Sequence, residues 1–176
     1  MKLGILGTGK VAGILAGAWR KAGHEITLGS RDPSSKSLDF EVTSLADCVS
    51  GADVVVNAIL GSAALETVSA MDAELFAGKT VIDVSNATTP QFELTYSGSS
   101  LAARLQEALP SAHVVKSMNT AAMSVVTRAT IVPTKRIIKA ANRFGRYSKT
   151  DNARRDGIVA FRAVRLTRRP RIRIVQ

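Results

Sequence analysis

The stretch Leu3-Gly4-Ile5-Leu6-Gly7-Thr8-Gly9-Lys10-Val11-Ala12 constrains the fold more than any other part of the chain. A short apolar run breaks at Gly7, and from Val11 the apolar residues fall at 11, 14, 15, 18, 19 and 22. That spacing is the buried stripe of an amphipathic helix. Gly23 ends the helix by offering a residue that turns left-handed, and Glu25 to Leu28 reads as a second strand. Strand, glycine turn, helix and strand in this order make a βαβ unit. Between the first strand and the helix sits G-x-G-x-x-[GA], in the one context that gives the pattern meaning. Gly7 permits the tight turn, Gly9 lets the backbone approach a pyrophosphate, and Ala12 lets the helix pack close to the sheet. The free amides at the start of the helix then hold the phosphates.

The alternation continues downstream. Phe40 to Val42 predicts a short third strand, and Asp53 to Ile59 a fourth, β-branched one. Ala63 to Leu75 predicts a helix, and Lys79 to Val84, after the Gly78 turn, another strand. Ser100 caps a helix through Leu101, Leu105 and Leu109 that Pro110 stops, and His113 to Lys116 gives a sixth strand. Strands alternating with helices imply an α/β fold: a doubly wound, mostly parallel sheet with right-handed crossovers. Beyond residue 127 the pattern blurs, although Ile137, Ile138, Ala141 and Phe144 share one helical face and Arg171 to Val175 alternates basic with apolar. The expected organisation is a dinucleotide-binding domain over residues 1–127 and a basic segment over 128–176.

The charge agrees with that division. Residues 1–120 carry nine Lys and Arg against twelve Asp and Glu, a balance of −3; residues 121–176 carry fifteen against two, or +13. The net +10 therefore belongs to a basic appendage and not to the whole surface. No apolar run approaches membrane length. A strand-like run follows Met1 directly, which predicts no signal peptide, and the single cysteine, Cys48, forms no internal disulfide; together these predict a cytoplasmic protein.

The end of the second strand selects the ligand. A dinucleotide site for NAD carries an Asp or Glu there to hold the ribose hydroxyls. Here the chain offers Ser30 and Arg31. A carboxylate would repel a 2′-phosphate; a guanidinium grips it with two parallel bonds and a serine hydroxyl adds a third. The expected cofactor is therefore NADP(H), with Lys36 adding charge from the following loop. His24 and His113 precede strands, on the amino side of the sheet, and Asp83 reads as a buried, hydrogen-bonded acid. There is no metal-ligand spacing, no nucleophile elbow and no P-loop. No catalytic acid–base residue and no metal site are expected.

Gly7-Thr8-Gly9, Gly23-His24-Glu25-Ile26 with Gly29-Ser30-Arg31, Asp83-Val84-Ser85-Asn86 and Val115-Lys116-Ser117-Met118-Asn119-Thr120 together resemble the NADPH-dependent coenzyme F420 reductase family. These are NADP oxidoreductases whose Rossmann domain is also similar to that of pyrroline-5-carboxylate reductase. The resemblance covers residues 1 to about 125 and implies hydride transfer between NADPH and a small-molecule acceptor, a deazaflavin (coenzyme F420) or a flavin- or quinone-like compound. It implies that Thr8, Lys10 and Val11 face the pyrophosphate and that Ser30 and Arg31 take the 2′-phosphate. Ala58 and Ile59 would run under the nicotinamide ribose, with Ser85, Asn86, Asn119 and Thr120 approaching the nicotinamide. Asn86 and Asn119 also suit ordinary turns. The missing acid–base residues fit a reaction whose chemistry belongs to two cofactors that the protein juxtaposes.

The family continues with further apolar and acidic elements that help cover the acceptor and form a homodimer. Residues 128–176 do not follow that pattern, apart from the ending Ile172-Arg173-Ile174-Val175. Three readings compete: a divergent capping segment, a polyanion-binding tail, or a shifted reading frame, which the abrupt change in composition favours. Two rival functions follow, a non-catalytic NADP(H) sensor and a nucleic-acid binder acting through the tail. The tail's few aromatics and lack of a recognition motif weigh against the second.

Overall fold

The computed structural model describes residues 1–35, 37–91, 93–96 and 98–118. The expected domain boundary at 127 and the whole basic segment lie outside these residues. The elements run β1 (Lys2–Leu6), α1 (Lys10–Lys21), β2 (Glu25–Ser30), β3 (Glu41–Ser44), α2 (Leu45–Ser50), β4 (Val54–Asn57) and α3 (Gly61–Ser69). A 3-10 turn (Ala73–Phe76), β5 (Thr80–Asp83), α4 (Leu101–Ala108) and β6 (His113–Lys116) follow. All strand pairs are parallel, in the order β3-β2-β1-β4-β5-β6. This is the Rossmann arrangement, with strand order reversing between β1 and β4.

Alternating side chains build a core on each face of the sheet. Leu3, Ile5, Val54, Val56, Ile82 and Val84 pack with Ala12, Leu15, Ala16 and Trp19 of α1. Leu6, Val55 and Val81 pack on the opposite face with Cys48 and Val49 of α2, Ala64 and Val68 of α3, and Leu101 and Leu105 of α4. The buried side of α1 is Ala12, Leu15, Ala16 and Trp19; of the stripe read from Val11, Leu15 and Trp19 are buried, Val11, Ile14 and Ala18 half-buried and Ala22 exposed, so the buried face is turned slightly from the expected one. Gly23 has φ +84° and ends that helix as expected.

Two glycines admit α2. A Cβ on Gly4 would lie 2.5 Å from the Cys48 carbonyl oxygen, and one on Gly29 would lie 3.0 Å from the Cys48 Cβ. Glycine inside these strands thus marks a close helix approach.

The elements differ from the expectations in instructive places. α2 is absent from the sequence reading because its six residues are too few for a periodic stripe. Its signal was local: the Ser44 oxygen accepts the Asp47 backbone N–H at 3.1 Å, a helix-capping contact. The expected helix 63–75 divides into α3 and the 3-10 turn, where the Asp72 carboxylate accepts the Glu74 N–H at 3.0 Å and starts a new turn. The fourth strand is shorter than 53–59. The Asp53 side chain instead receives the Lys2 backbone N–H at 2.8 Å, and Ile59 N–H turns to the Asn57 side chain. Among the described residues no helix lies between β2 and β3, and Arg20 stacks 4.3 Å over the Phe40 ring there.

Candidate functional site

The carboxyl ends of the strands and the turns that follow them form one edge. Beyond β1 the chain turns sharply at Gly7, which has φ +113°; a Cβ there would lie 2.9 Å from the Ala58 carbonyl oxygen. Gly7 N–H donates to the Gly29 carbonyl at 2.9 Å, and Ala58 N–H to the Leu6 carbonyl at 3.0 Å. These bonds tie the glycine turn to β2 and to the exit of β4. Only glycine combines this backbone angle with this contact.

Gly9 is different. It is the N-cap of α1 in ordinary extended geometry, and a Cβ on it would meet nothing within 4 Å. No side chain caps α1 and its first turn holds no acid. The helix therefore presents unsatisfied amides and its positive dipole end to open space. Lys10 is exposed beside Gly9, while Thr8 and Val11 are half-buried. α2 and α4 contrast with it: Ser44 and Ser100 accept the Asp47 and Ala103 N–H groups, each at 3.1 Å. The mouth at Gly7 to Val11 fits a diphosphate: anion-seeking amides, room for close approach and no competing carboxylate.

At the end of β2, Ser30 is buried and Arg31 is exposed. The Ser30 oxygen accepts the Asp32 backbone N–H at 3.1 Å, which leaves its proton for an oxygen outside the loop. Asp32 Oδ1 accepts the Ser34 hydroxyl at 2.8 Å. A donor hydroxyl beside an exposed guanidinium suits a phosphoryl group better than a ribose diol. Lys36 lies outside the described residues, as do Asn119 and Thr120.

The other half of the edge follows β4, β5 and β6. Ala58 and Ile59 leave β4 half-buried; Ser85 is half-buried and Asn86 exposed after β5. A Cβ on Gly61, which opens α3, would lie only 2.0 Å from the Asn86 carbonyl oxygen, so the two exit loops touch backbone to backbone. Below them the last residues of the strands share one row, Asn57 beside Asp83 and Asp83 beside Lys116. Asp83 Oδ2 accepts Lys116 Nζ at 2.8 Å, and Asp83 Oδ1 accepts Asn57 Nδ2 at 2.9 Å and the Ser85 hydroxyl at 2.7 Å. Asp83 was legible as a buried acid, but Asn57 and Lys116 were not singled out. Their signal was a polar residue ending each of three apolar strands: Val-Val-Val-Asn57, Thr-Val-Ile-Asp83 and His-Val-Val-Lys116.

His24 and His113 stand at the amino side of the sheet, away from this edge. Cys48 is buried under β1 and β2, and burial pushes its thiol up to about 12 despite a weak contact to the Ile5 carbonyl. That environment suits packing and not nucleophilic chemistry. Among the described residues no cluster of His, Cys, Asp and Glu could hold a metal, and no helix is long and apolar enough to cross a membrane.

Fold and edge together define a dinucleotide-binding Rossmann domain. Residues 2–87 match the family described as NADP oxidoreductase, coenzyme F420-dependent. It is similar to a protein from Arthrobacter sp. FB24 assigned as an F420-dependent NADP-reductase, with 34% identity and a TM-score of 0.66, over 71% of this chain and 65% of that one. A hypothetical protein of Sinorhizobium meliloti is 28% identical with a TM-score of 0.60, over 72% and 65% of the two chains. Pyrroline carboxylate reductase of Plasmodium falciparum, solved with NADP bound, shares the fold at 17% identity and a TM-score of 0.51, over 66% and 41%. No curated protein matches. The chain spans about 65% of the length of the first two relatives.

Proposed function

We propose that the protein is an NADPH-dependent oxidoreductase that transfers hydride between NADP(H) and a deazaflavin of the coenzyme F420 type, or a flavin- or quinone-like acceptor, as a cytoplasmic homodimer. The observation that carries this reading is the pairing of an uncapped, acid-free helix mouth with Ser30 and Arg31 at the neighbouring strand end. Gly7, Thr8, Gly9, Lys10 and Val11 hold the diphosphate. Ser30 and Arg31 hold the 2′-phosphate, with Lys36 from the loop. Ala58, Ile59, Ser85 and Asn86, with Asn119 and Thr120, receive the nicotinamide half.

The bound cofactor supplies the hydride; the protein's part is to hold its two halves on either side of the β1/β4 switch point. The deazaflavin acceptor is drawn from the family and from the printed assignment of the Arthrobacter relative.

Calorimetric titration with NADPH and NADH tests the cofactor. A charge-assisted pair contributes about 1.5–3 kcal/mol net, so Arg31→Ala is expected to weaken NADPH about ten- to hundredfold. NADH affinity is expected to stay nearly unchanged. Equal losses for both nucleotides would refute the 2′-phosphate role. Oxidation of NADPH by coenzyme F420 or FMN tests the reaction, and tight binding without turnover under either acceptor would favour a sensor.

A further inference from the structure

The buried row under the β4–β6 edge does more than join strands. Asp83 is wholly buried and Lys116 keeps only 13% of its side chain exposed. The ammonium donates to Asp83 Oδ2 and to the Ser85 carbonyl, and the Ser85 backbone N–H donates back to Asp83 Oδ1 at 3.2 Å. The Ser85 hydroxyl lies 2.7 Å from the same Oδ1.

We propose that Asp83, held by Lys116, fixes the Ser85 hydroxyl as a hydrogen-bond acceptor, and that Ser85 thereby selects a donor on the nicotinamide half of the dinucleotide. This rests on the NADP(H) reading. The donor is a ribose hydroxyl or the carboxamide NH2.

A carboxylate paired with an ammonium has only lone pairs to offer, so at this separation the serine must give its single proton to Asp83. Its oxygen then has only lone pairs left for anything outside. Asn57 Nδ2 approaches one of them at 3.4 Å, and the Asn57 orientation is set because its Oδ1 accepts Ile59 N–H at 3.3 Å. A ligand oxygen without a proton would meet Ser85 lone pair to lone pair, with a carboxylate behind. Ser30 has the opposite polarity: its oxygen is occupied by Asp32 N–H and its proton is free. The two serines thus read the two ends of the ligand, a phosphoryl acceptor at β2 and a donor at β5, and disfavour the reversed dinucleotide. Lys116 matters because a buried carboxylate without a counter-ion is costly, and the ammonium holds Asp83 in place beneath Ser85. Asp83 and Lys116 are positioning residues that act through Ser85.

The test titrates the full chain with NADPH and with adenosine 2′,5′-bisphosphate, which has the adenosine half and no nicotinamide. Ser85→Ala is expected to weaken NADPH about 2- to 12-fold, the range of one ordinary hydrogen bond, and to leave the bisphosphate unchanged. In an Asp83→Leu/Lys116→Met background, which removes both charges and the acceptor at position 83, adding Ser85→Ala is expected to cost clearly less. A purely structural pair would not produce that non-additivity. The same Ser85→Ala loss in both backgrounds overturns the proposal, as does an equal loss for both ligands. The bisphosphate reports whether each variant is folded. A wild-type chain that binds neither ligand removes the NADP(H) reading and this inference with it. Should the double variant not fold, the nicotinic acid analogue of NADP+ gives an independent reading. Its carboxylate offers no proton, so weaker binding than NADP+, lost in Ser85→Ala, assigns the donor to the carboxamide. Equal binding of the two in wild type, with the Ser85→Ala loss retained, assigns it to the ribose.

Discussion

Gly7 and Gly9 stand two residues apart in the same turn, yet the structure assigns them separable duties, and a pair of alanine variants can pull these apart. Gly9 has φ −80° and ψ −177°, which any residue adopts, and a built Cβ meets nothing within 4 Å. Gly9→Ala therefore costs only the small N-cap preference, less than about 1 kcal/mol, or about 2–4 °C of melting temperature for a chain this size. On the proposed function, the open space around that Cβ takes the diphosphate. A methyl group there pushes phosphate oxygens off the first-turn amides. Losing one charge-assisted bond at about 1.5–3 kcal/mol weakens NADPH about ten- to hundredfold. Gly7→Ala differs. Its φ of +113° is strained for alanine, and the new Cβ would sit 2.9 Å from the Ala58 carbonyl oxygen. The backbone strain alone costs about 1–3 kcal/mol, so this variant loses stability as well as affinity. Thermal melting without ligand and calorimetry with NADPH measure both quantities on each variant. A Gly9→Ala chain that melts normally and binds NADPH like wild type would refute the diphosphate mouth. One that melts as poorly as Gly7→Ala would refute the open geometry of Gly9.

Two more expectations follow from packing and burial. Gly61→Ala would place a Cβ 2.0 Å from the Asn86 carbonyl oxygen and force the two exit loops apart. Overpacking of this kind costs about 1–3 kcal/mol, so urea unfolding should shift to lower midpoint and NADPH affinity should fall with it. Cys48 has its thiol raised, chiefly by burial, from an ordinary 9.0 to about 12. Unfolding then releases a proton between those values, so this residue's share of stability is intact below pH 9 and falls as pH rises towards 12. At pH 10.5 the loss is about 2 kcal/mol, and Cys48→Ala should show an alkaline fall in urea midpoint shallower by that amount. Identical alkaline slopes in the two proteins would count against the buried thiol.

Legibility followed the range of the interaction that makes each feature. β1, α1 and β2 were readable because a periodic stripe and two glycines are local signals, and all three elements stand where those signals put them. α2 was not, since six residues carry no period and its place depends on Gly4 and Gly29, distant strand positions that accept it by lacking a side chain. The Asn57–Asp83–Lys116 row was half legible. Each polar residue is visible as the end of its strand, but that they meet depends on the parallel register of β4, β5 and β6. The contact of Gly61 with Asn86 joins two loops 25 positions apart and has no local mark at all. Ser30 and Arg31 were readable as residue types. The direction of the Ser30 hydroxyl was not, because it rests on one backbone N–H from Asp32.

The distribution of helix caps carries the functional argument furthest. A helix that ends its own polar demand with a serine has little left for a ligand, and α2 and α4 do so through Ser44 and Ser100. α1 and α3 do not: Gly9 and Leu60 precede them without a side-chain cap. These two helices follow β1 and β4, the neighbouring strands between which the order of the sheet reverses. Among the described helices, uncapped amides thus occur where the crossovers diverge and leave a crevice. Capping α1 would have been easy, since a serine or aspartate at position 9 fits the extended backbone and the free space there. An unmet helix terminus costs stability. That it persists beside two capped ones is what an anion-binding end requires and what a purely structural helix does not.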